Sequence, residues 1–146
     1  MVVTPSAYFD TSVLVKRYIR EEGSTQARLL VRTRQVISSA IAPLETISAI
    51  RRNQASGSID DRAFSAIVER FQKDRRRWQL VELLPEILEL AEECVLDFNI
   101  RALDAIHLAS AKATQARFRH RLTFITADSD QRDAASQLHL EVAWVQ

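Results

Sequence analysis

The segment Ala7-Tyr8-Phe9-Asp10-Thr11-Ser12-Val13-Leu14 decides the fold of this chain. Its apolar beginning, which ends at Asp10, has the length and composition of a buried strand. Thr11 or Ser12 has the hydroxyl group needed to cap a helix that continues through Tyr18. A strand followed at once by a helix is the first half of a strand–helix–strand unit, so we predict an α/β fold.

The remainder of the chain alternates in the same way. Short apolar runs predict four further strands, at 36–37, 78–83, 122–125 and 142–145. The segments between them carry apolar residues at helical spacing, and Pro43 and Pro85 suit the first turns of helices. Strands joined through helices form a parallel sheet that is covered on both faces. We therefore predict one three-layer α/β/α domain over residues 1–146, with a central parallel sheet of four or five strands.

Single side chains predict several details of the helices. Ser58 and Asp61 resemble a capping box, which would open a helix. Asn99 is of a residue type that accepts a left-handed conformation, so we expect it to end the helix that starts at Pro85. In the helix after it, Leu103 is expected to face inward because it falls on the apolar side of the helical pattern.

Composition restricts the class of protein. The chain has 146 residues, of which 47% are hydrophobic, and this suits one folded domain and not a disordered chain. It contains no apolar run of about eighteen residues or more, which excludes a predicted transmembrane helix. Its first residues lack the basic and apolar pattern of a secretory signal. The one cysteine, Cys94, cannot form an internal disulfide, so we expect a reducing, cytoplasmic location.

The net charge of +1 shows that the chain is not basic overall. The distribution of charge is more informative than the sum. Arginine clusters of this kind either bind phosphate groups or form a solvated helix surface, and the sequence leaves both interpretations open. The clusters lie at 51–52, at 75–77 and at positions 117, 119 and 121.

Four acidic residues are predicted at one edge of the sheet. Asp10 ends the first strand and Asp128 follows the fourth. Glu45 lies in the first turn of the helix after the second strand, and Asp104 lies near the start of a later helix. Functional sites of open parallel sheets lie beyond the carboxyl ends of the strands. We therefore expect these four acids to meet in one site.

Each acid also has a purely structural explanation, which stays open for that residue taken alone. Asp10 could cap the helix that follows it, and Asp128 could begin a turn. Glu45 and Asp104 could favour the positive end of a helix dipole. Together, however, four adjacent carboxylates repel one another unless protons or cations intervene. Oxygen ligands prefer a hard cation, so we predict that Mg²⁺ or Mn²⁺ binds there.

Neighbouring polar residues are expected to support the acids. We expect three hydroxyl groups to orient a carboxylate or a metal-bound water: those of Thr11, Ser12 and Thr126. Asp130 either joins the acids or caps the last helix, and we favour the cap. His107 lies one turn after Asp104, and we favour a buried structural histidine over one that touches the site.

Four segments carry these acids in an order and spacing that are specific in combination: 8–16 (YFDTSVLVK), 44–52 (LETISAIRR), 100–109 (IRALDAIHLA) and 124–128 (FITAD). With them the chain resembles a PIN domain, and within that group the VapC-type ribonuclease toxins of bacterial toxin–antitoxin pairs. The resemblance spans nearly the whole chain and fills all four acidic positions. The family pattern often has glycine just before the third segment, where Asn99 stands here.

The resemblance implies a divalent-metal-dependent endoribonuclease, a homodimer, and inhibition by a small antitoxin protein. Asp10 and Asp104 would hold the principal Mg²⁺ or Mn²⁺, and Asp128 and Glu45 would ligate it directly or through water. Glu45 would take the proton from the attacking water, and the cut RNA would carry a 5′-phosphate and a 3′-hydroxyl. The arginine clusters would hold the flanking RNA backbone.

Other classes fit less well. A phosphatase of the haloacid-dehalogenase type needs a second aspartate two residues after the first, where this chain has Ser12. A phosphoryl-receiver domain needs paired acids at the first strand and a lysine after a late strand, and this chain has neither. A non-catalytic RNA-binding or scaffolding PIN-like domain stays open as the alternative, and binding of RNA without cleavage would favour it.

Overall fold

A computed structural model of the chain describes residues 3–119 and 121–146. The predicted domain of 1–146 also includes Met1, Val2 and His120, which lie outside the described residues. The strands are β1 (Ser6–Phe9), β2 (Gln35–Ser39), β3 (Gln79–Val81), β4 (Thr123–Thr126) and β5 (Glu141–Trp144). The helices are α1 (Thr11–Lys16), α2 (Ser24–Thr33), α3 (Ala42–Ala55), α4 (Asp61–Asp74), α5 (Pro85–Asp97), α6 (Ala102–Phe118) and α7 (Ser129–Gln137), and a short 3₁₀ helix (Arg75–Arg77) follows α4.

The strands form one sheet in the order β3-β2-β1-β4-β5, and every neighbouring pair is parallel. From β1 the chain proceeds to β2 on one side and later returns to β4 on the other side. The order therefore reverses between β1 and β4, and such a switch point opens a crevice at the carboxyl edge of the sheet. The predicted three-layer α/β/α fold is confirmed, with five strands in the sheet.

Alternation along β1 supplies both faces of the sheet. Ala7 and Phe9 are buried in a core that includes residues of α1 to α4. Tyr8 points to the opposite core, with residues of α5, α6 and α7, and its ring stacks on that of Phe124 at a centroid distance of 5.5 Å. Because both faces are covered by helices, β1 is buried along nearly its whole length. None of the helices in residues 3–119 and 121–146 has both the length and the apolar character of a membrane span.

The predicted N-caps of two helices are wrong. Asp10, and not Thr11 or Ser12, is the N-cap of α1. Asp60, and not Ser58, caps α4, where its side chain accepts a hydrogen bond from the Ala63 N–H at 2.7 Å. In each case an aspartate stands immediately before the first helical residue, and its carboxylate accepts hydrogen bonds from backbone N–H groups more strongly than a hydroxyl group does.

Two further predictions about α5 and α6 are wrong. Helix α5 ends at Asp97, with Phe98 as its C-cap, so Asn99 does not form the helix end. Asn99 is also not left-handed, because Arg119 and His139 are the non-glycine residues with positive φ in the described part of the chain. Leu103 is 48% exposed although the helical pattern predicted an inward position.

Candidate active site at the carboxyl edge of the sheet

The four predicted acids lie at the carboxyl edge of the sheet. Asp10 follows β1 and Asp128 follows β4, so these two residues flank the switch point. Glu45 lies in the first turn of α3, which follows β2, and Asp104 lies in the first turn of α6. Helix α6 leads back into β4, so its beginning lies near the ends of the strands.

Asp10 is fully buried beneath this edge. Its Oδ1 accepts hydrogen bonds from the Ser12 hydroxyl and, at 3.4 Å, from the Val13 N–H, and its Oδ2 accepts one from the Thr126 hydroxyl at 2.5 Å. Burial raises the pKa of Asp10, while His107 and these hydrogen bonds partly oppose the rise. None of the ion pairs among residues 3–119 and 121–146 includes Asp10, so its charge lacks a lysine or arginine partner there.

Glu45 belongs to a hydrogen-bonded chain that crosses three elements. Its Oε1 accepts a hydrogen bond from the Thr11 hydroxyl at 2.7 Å and lies 2.7 Å from Nε2 of His107. The other ring nitrogen of His107, Nδ1, lies 2.9 Å from the Tyr8 hydroxyl. Tyr8 and His107 are buried, whereas the Glu45 side chain is 24% exposed, so this series of hydrogen bonds leads from the core to the solvent-exposed edge of the site.

Asp104 and Asp128 are neighbours that Gln131 links. Burial raises the pKa of Asp104, and the negative charge of Asp128 raises it further. The Gln131 side-chain amide donates to Asp104 Oδ1 at 2.9 Å, and the Gln131 backbone N–H donates to Asp128 Oδ1 at 3.0 Å. Gln131 therefore satisfies one oxygen of each acid and holds the two repelling carboxylates in place.

The predicted hydroxyl groups connect the acids. Thr126 accepts a hydrogen bond from the Asp128 N–H at 3.0 Å while it donates to Asp10, and Ser12 likewise accepts from the Ala127 N–H at 3.0 Å. Each hydroxyl thus fixes the position of the buried carboxylate relative to the loop after β4. Asp130 differs from expectation, because Asp128 caps α7 and Asp130 is an exposed residue in the first turn.

A cleft of about 390 Å³ opens above these residues. Its walls include two of the acids, Glu45 and Asp128, and two basic side chains, Lys16 and Arg52. Lys16 donates hydrogen bonds to Glu21 Oε1 and to the Glu22 carbonyl, whereas Arg52 contacts Ser48 on its own helix. Of the three arginine clusters, the one at 51–52 contributes Arg52 to this cleft, and the arginines of the other two are absent from its lining among the described residues.

The donor types at this edge fit a hard divalent cation. Every candidate ligand is a carboxylate oxygen, no ion pair in the described part of the chain includes the buried Asp10, and Asp104 and Asp128 repel each other. Within residues 3–119 and 121–146, however, no three His, Cys, Asp or Glu side chains form a group that could hold a metal ion. Asp10, Glu45, Asp104 and Asp128 each accept hydrogen bonds from protein donors, and a cation bound there would replace some of these hydrogen bonds.

Sequence reasoning missed three residues of this arrangement. His107 was favoured as a structural histidine, yet it contacts Glu45, and its position one turn after Asp104 was the signal that could have placed it at the site. Gln131 lies three positions after Asp128, which is the spacing of a capped N–H but gives no sign of its side-chain contact with Asp104. Tyr8 gave no signal beyond its place in a buried strand.

The fold and the site define the class of protein, which is an open parallel α/β domain with acids at the carboxyl edge of its switch point. Comparisons with known proteins identify the family. The family model of the PIN domain matches residues 7–137. The chain is 33% identical over 136 residues to Ribonuclease VapC46 of Mycobacterium tuberculosis, an alignment that covers 92% of this chain and 94% of that protein. The chain therefore belongs to the PIN domain family, among its VapC-type members.

Solved structures agree with this fold. A toxin–antitoxin complex from Klebsiella pneumoniae contains a chain that matches with a TM-score of 0.60 at 20% identity, over 85% of this chain and 88% of that one. VapBC2 from Rickettsia felis, solved bound to a DNA fragment from its promoter, matches with a TM-score of 0.63 at 13% identity, over 96% of this chain and 98% of the other. At these identities the similarity concerns the fold alone.

Proposed function

We propose that this protein is a divalent-metal-dependent endoribonuclease, the toxin of a toxin–antitoxin pair, which cleaves RNA at the carboxyl edge of its sheet. The observation that carries the proposal is the position of four acids from separate segments of the chain at one edge, beside a cleft that also contains basic side chains. The name of the relative VapC46, a ribonuclease, supports the choice of RNA as substrate.

The chain's own residues suggest how the reaction would proceed. Asp10, Asp104 and Asp128, with Glu45, would hold Mg²⁺ or Mn²⁺, which when bound would supply Lewis acidity at the phosphate. Glu45 lines the cleft with a side chain that is 24% exposed, so it would accept the proton of the attacking water. The bond between phosphorus and the 3′ oxygen would break, leaving a 5′-phosphate and a 3′-hydroxyl.

The basic side chains at the cleft would bind the RNA backbone. Lys16 and Arg52 line the same cleft as Glu45, so phosphates on either side of the scissile bond would meet positive charge there. Such contacts position the substrate without reading its sequence. Affinity for RNA should therefore fall as the salt concentration rises.

The biological setting follows from the same relatives. The similar solved chains come from toxin–antitoxin complexes, so we propose that a small antitoxin protein binds and inhibits this chain. We also propose that the protein acts in the cytoplasm as a homodimer. Co-purification with the product of an adjacent short gene, followed by measurement of the mass of the complex, would test both the partner and the dimer.

The proposal is tested with purified protein and single-stranded RNA in Mn²⁺. Asp10→Asn and Asp104→Asn should abolish cleavage, because each removes a charged ligand, while both variants should keep the wild-type circular dichroism spectrum. Asp133→Asn is the matched control, since Asp133 is an exposed acid on α7 that pairs with Arg132. EDTA should stop cleavage and added Mg²⁺ or Mn²⁺ should restore it. Cleavage at the wild-type rate by either ligand variant, or cleavage that resists chelation, would refute the assignment.

The same assay decides the alternative function. A non-catalytic RNA-binding or scaffolding domain would bind RNA in Mn²⁺ and leave it intact over the whole incubation. Binding is measured by fluorescence anisotropy of labelled RNA and cleavage by gel electrophoresis of the same sample. RNA that is bound and uncut would favour the alternative over the nuclease.

A further inference from the structure

We propose that His107, fixed by Tyr8, is the positioning residue that holds Glu45 in the orientation required for its role in RNA cleavage. The inference rests on the proposed function, because the role of Glu45 belongs to that proposal. It extends the proposal to two residues that lie beneath the cleft and do not line it.

The geometry connects a buried core to an exposed acid. The His107 side chain is 2% exposed and projects from α6 toward β1 and α3, where it lies between Tyr8 and Glu45. Its two ring nitrogens lie 2.9 Å from the Tyr8 hydroxyl and 2.7 Å from Glu45 Oε1. Both nitrogens are thus engaged by side chains far apart in sequence, so the ring cannot rotate without losing both contacts.

The contacts of the His107 ring indicate which nitrogen carries the hydrogen. A carboxylate oxygen accepts, so Nε2, which lies 2.7 Å from Glu45 Oε1, is the nitrogen that donates. The Tyr8 hydroxyl lies 2.9 Å from Nδ1 and can donate its hydrogen there. Donation to Nδ1 requires a lone pair on that nitrogen, and a neutral ring then carries its hydrogen on Nε2. That hydrogen points at Glu45 Oε1, so the direction of donation runs from Tyr8 through His107 to Glu45.

As a result, hydrogen bonds hold one carboxylate oxygen of Glu45 in place and leave the other available to a ligand. Oε1 accepts from His107 and also from the Thr11 hydroxyl, which itself lies 3.0 Å from Nε2. Among residues 3–119 and 121–146, no hydrogen bond is assigned to Oε2. Because Glu45 lines the cleft, anchoring Oε1 presents Oε2 to a ligand there. Hydrogen-bond partners of this kind orient the groups that bind metals and substrates.

His107 also contacts a second residue at the site. Its Nε2 lies 3.0 Å from the Thr11 hydroxyl, which itself donates to Glu45. A histidine that only filled the core would not need polar contacts to Tyr8, Thr11 and Glu45. The ring is therefore placed where it fixes the position of Glu45.

Three variants separate positioning from packing. His107→Leu removes the donor to Glu45 and keeps an apolar side chain in the core. His107→Gln is the rescue variant, because a glutamine amide can place an N–H near the position of Nε2. Tyr8→Phe keeps the ring stacked on Phe124 but removes the hydroxyl that fixes the proton on His107. Tyr18→Phe is the matched control, since it removes a similarly buried phenol that donates to Asp74 at 2.7 Å.

Two measurements do not depend on turnover. Calorimetric titration with Mn²⁺ should show binding weakened by about 10-fold or more in His107→Leu, which is the usual effect of losing a partner that orients a ligand. His107→Gln should recover most of that loss, and Tyr18→Phe should bind as the wild type does. Nitrogen-15 NMR of the wild-type ring should show a hydrogen on Nε2 and a lone pair on Nδ1, and Tyr8→Phe should lose this single tautomer.

Cleavage assays complete the test. The rate in Mn²⁺ should fall by about 10- to 100-fold in His107→Leu, and more Mn²⁺ should be needed for half-maximal activity. A loss of folded protein would lower the rate but would leave this Mn²⁺ dependence unchanged. Wild-type Mn²⁺ dependence in His107→Leu, no rescue by His107→Gln, or a hydrogen on Nδ1 would each overturn the inference. Failure of wild-type protein to cut RNA would instead refute the proposed function, and NMR and calorimetry would still test the position of Glu45.

Discussion

Replacement of Asp10 by asparagine should make the metal-free protein more stable while it abolishes cleavage. Asp10 is fully buried, and burial raises the pKa of its carboxyl group in the folded chain. The charged form is therefore less favourable in the folded protein than in the unfolded one. Asparagine has no charge to bury, and it caps a helix about as well as aspartate does, so α1 should persist.

The magnitude is set by two opposing effects. Each unit by which burial raises the pKa of a carboxyl group corresponds to about 1.4 kcal/mol of lost stability at a pH above that value. Against this, the asparagine NH₂ group that would replace Oδ2 cannot accept the hydrogen bond that Thr126 donates there, and this loss costs about 1 kcal/mol. We expect the removal of the buried charge to outweigh the lost hydrogen bond, so Asp10→Asn should raise both the free energy of unfolding and the Tm at neutral pH.

The sign of the pH dependence distinguishes this cause from others. Below the ordinary pKa of an aspartate, Asp10 is protonated in both the folded and the unfolded chain, so the burial of charge costs nothing there. As the pH rises through the raised pKa of folded Asp10, the wild type loses stability and the variant does not. The difference in stability between Asp10→Asn and the wild type should therefore grow from acidic to neutral pH.

The assay is thermal unfolding by circular dichroism in EDTA at several pH values. Added Mn²⁺ should stabilise the wild type, by about 2.7 kcal/mol at a concentration one hundred times its dissociation constant, and should not stabilise the variant. The control, Asp133→Asn, removes an exposed charge and should change stability by no more than about 0.5 kcal/mol at any pH. If Asp10→Asn were equal to or less stable than the wild type in EDTA at neutral pH, the account of Asp10 as an uncompensated buried charge would be wrong.

Three further predictions concern neighbouring residues. Gln131→Leu should lower the cleavage rate by about 10-fold, because Asp104 loses its amide donor, and a wild-type rate would contradict this role. The helical circular dichroism of the protein should persist, because the backbone N–H of residue 131 still donates to Asp128. Asp130→Asn should change the rate by less than about twofold in the same assay, because Asp130 is exposed and does not cap α7. Arg52→Ala, measured by anisotropy of labelled RNA in an Asp10→Asn background, should reduce the slope of log affinity against log salt by about 1, and an unchanged slope would exclude Arg52 as a phosphate contact.

Local sequence patterns predicted the fold and the places of the acids. The apolar run before Asp10 and the helical period after it are properties of a few adjacent residues, so the strand and the helix were predicted together. The position of Glu45 in the first turn of α3 followed from Pro43 in the same way. Sites of parallel sheets lie at the carboxyl edge, and this rule was enough to predict that the acids share one edge, because it does not depend on tertiary contacts.

Helix caps were predicted less well because several side chains compete for each helix end. Near the start of α4, Ser58 and Asp60 are both suitable caps, and the carboxylate of Asp60 is the one that accepts from the Ala63 N–H. The helix end predicted at Asn99 is wrong because α5 ends two residues earlier, at Asp97. Asn99 therefore lies outside the helix, where it does not need a left-handed conformation.

The hydrogen bonds of the candidate site could not be predicted from the sequence. Tyr8 and His107 are 99 positions apart, and Glu45 and His107 are 62 positions apart. Whether such side chains meet depends on which face of each element packs inward and on the register of the sheet. The distances between the four acids at their shared edge depend on the same packing, and within residues 3–119 and 121–146 they form no group that could hold a metal ion.

The central position of β1 has a consequence for synthesis on the ribosome. Strand β1 is synthesised before both of its pairing partners, and one of these is β4, which contains residues Thr123–Thr126. Until that segment has left the exit tunnel, Asp10 lacks the hydroxyl of Thr126 and the loop that carries Asp128. A growing chain that has not emerged beyond β4 therefore lacks part of the candidate site, and this site is completed only once Thr126 and Asp128 can reach Asp10.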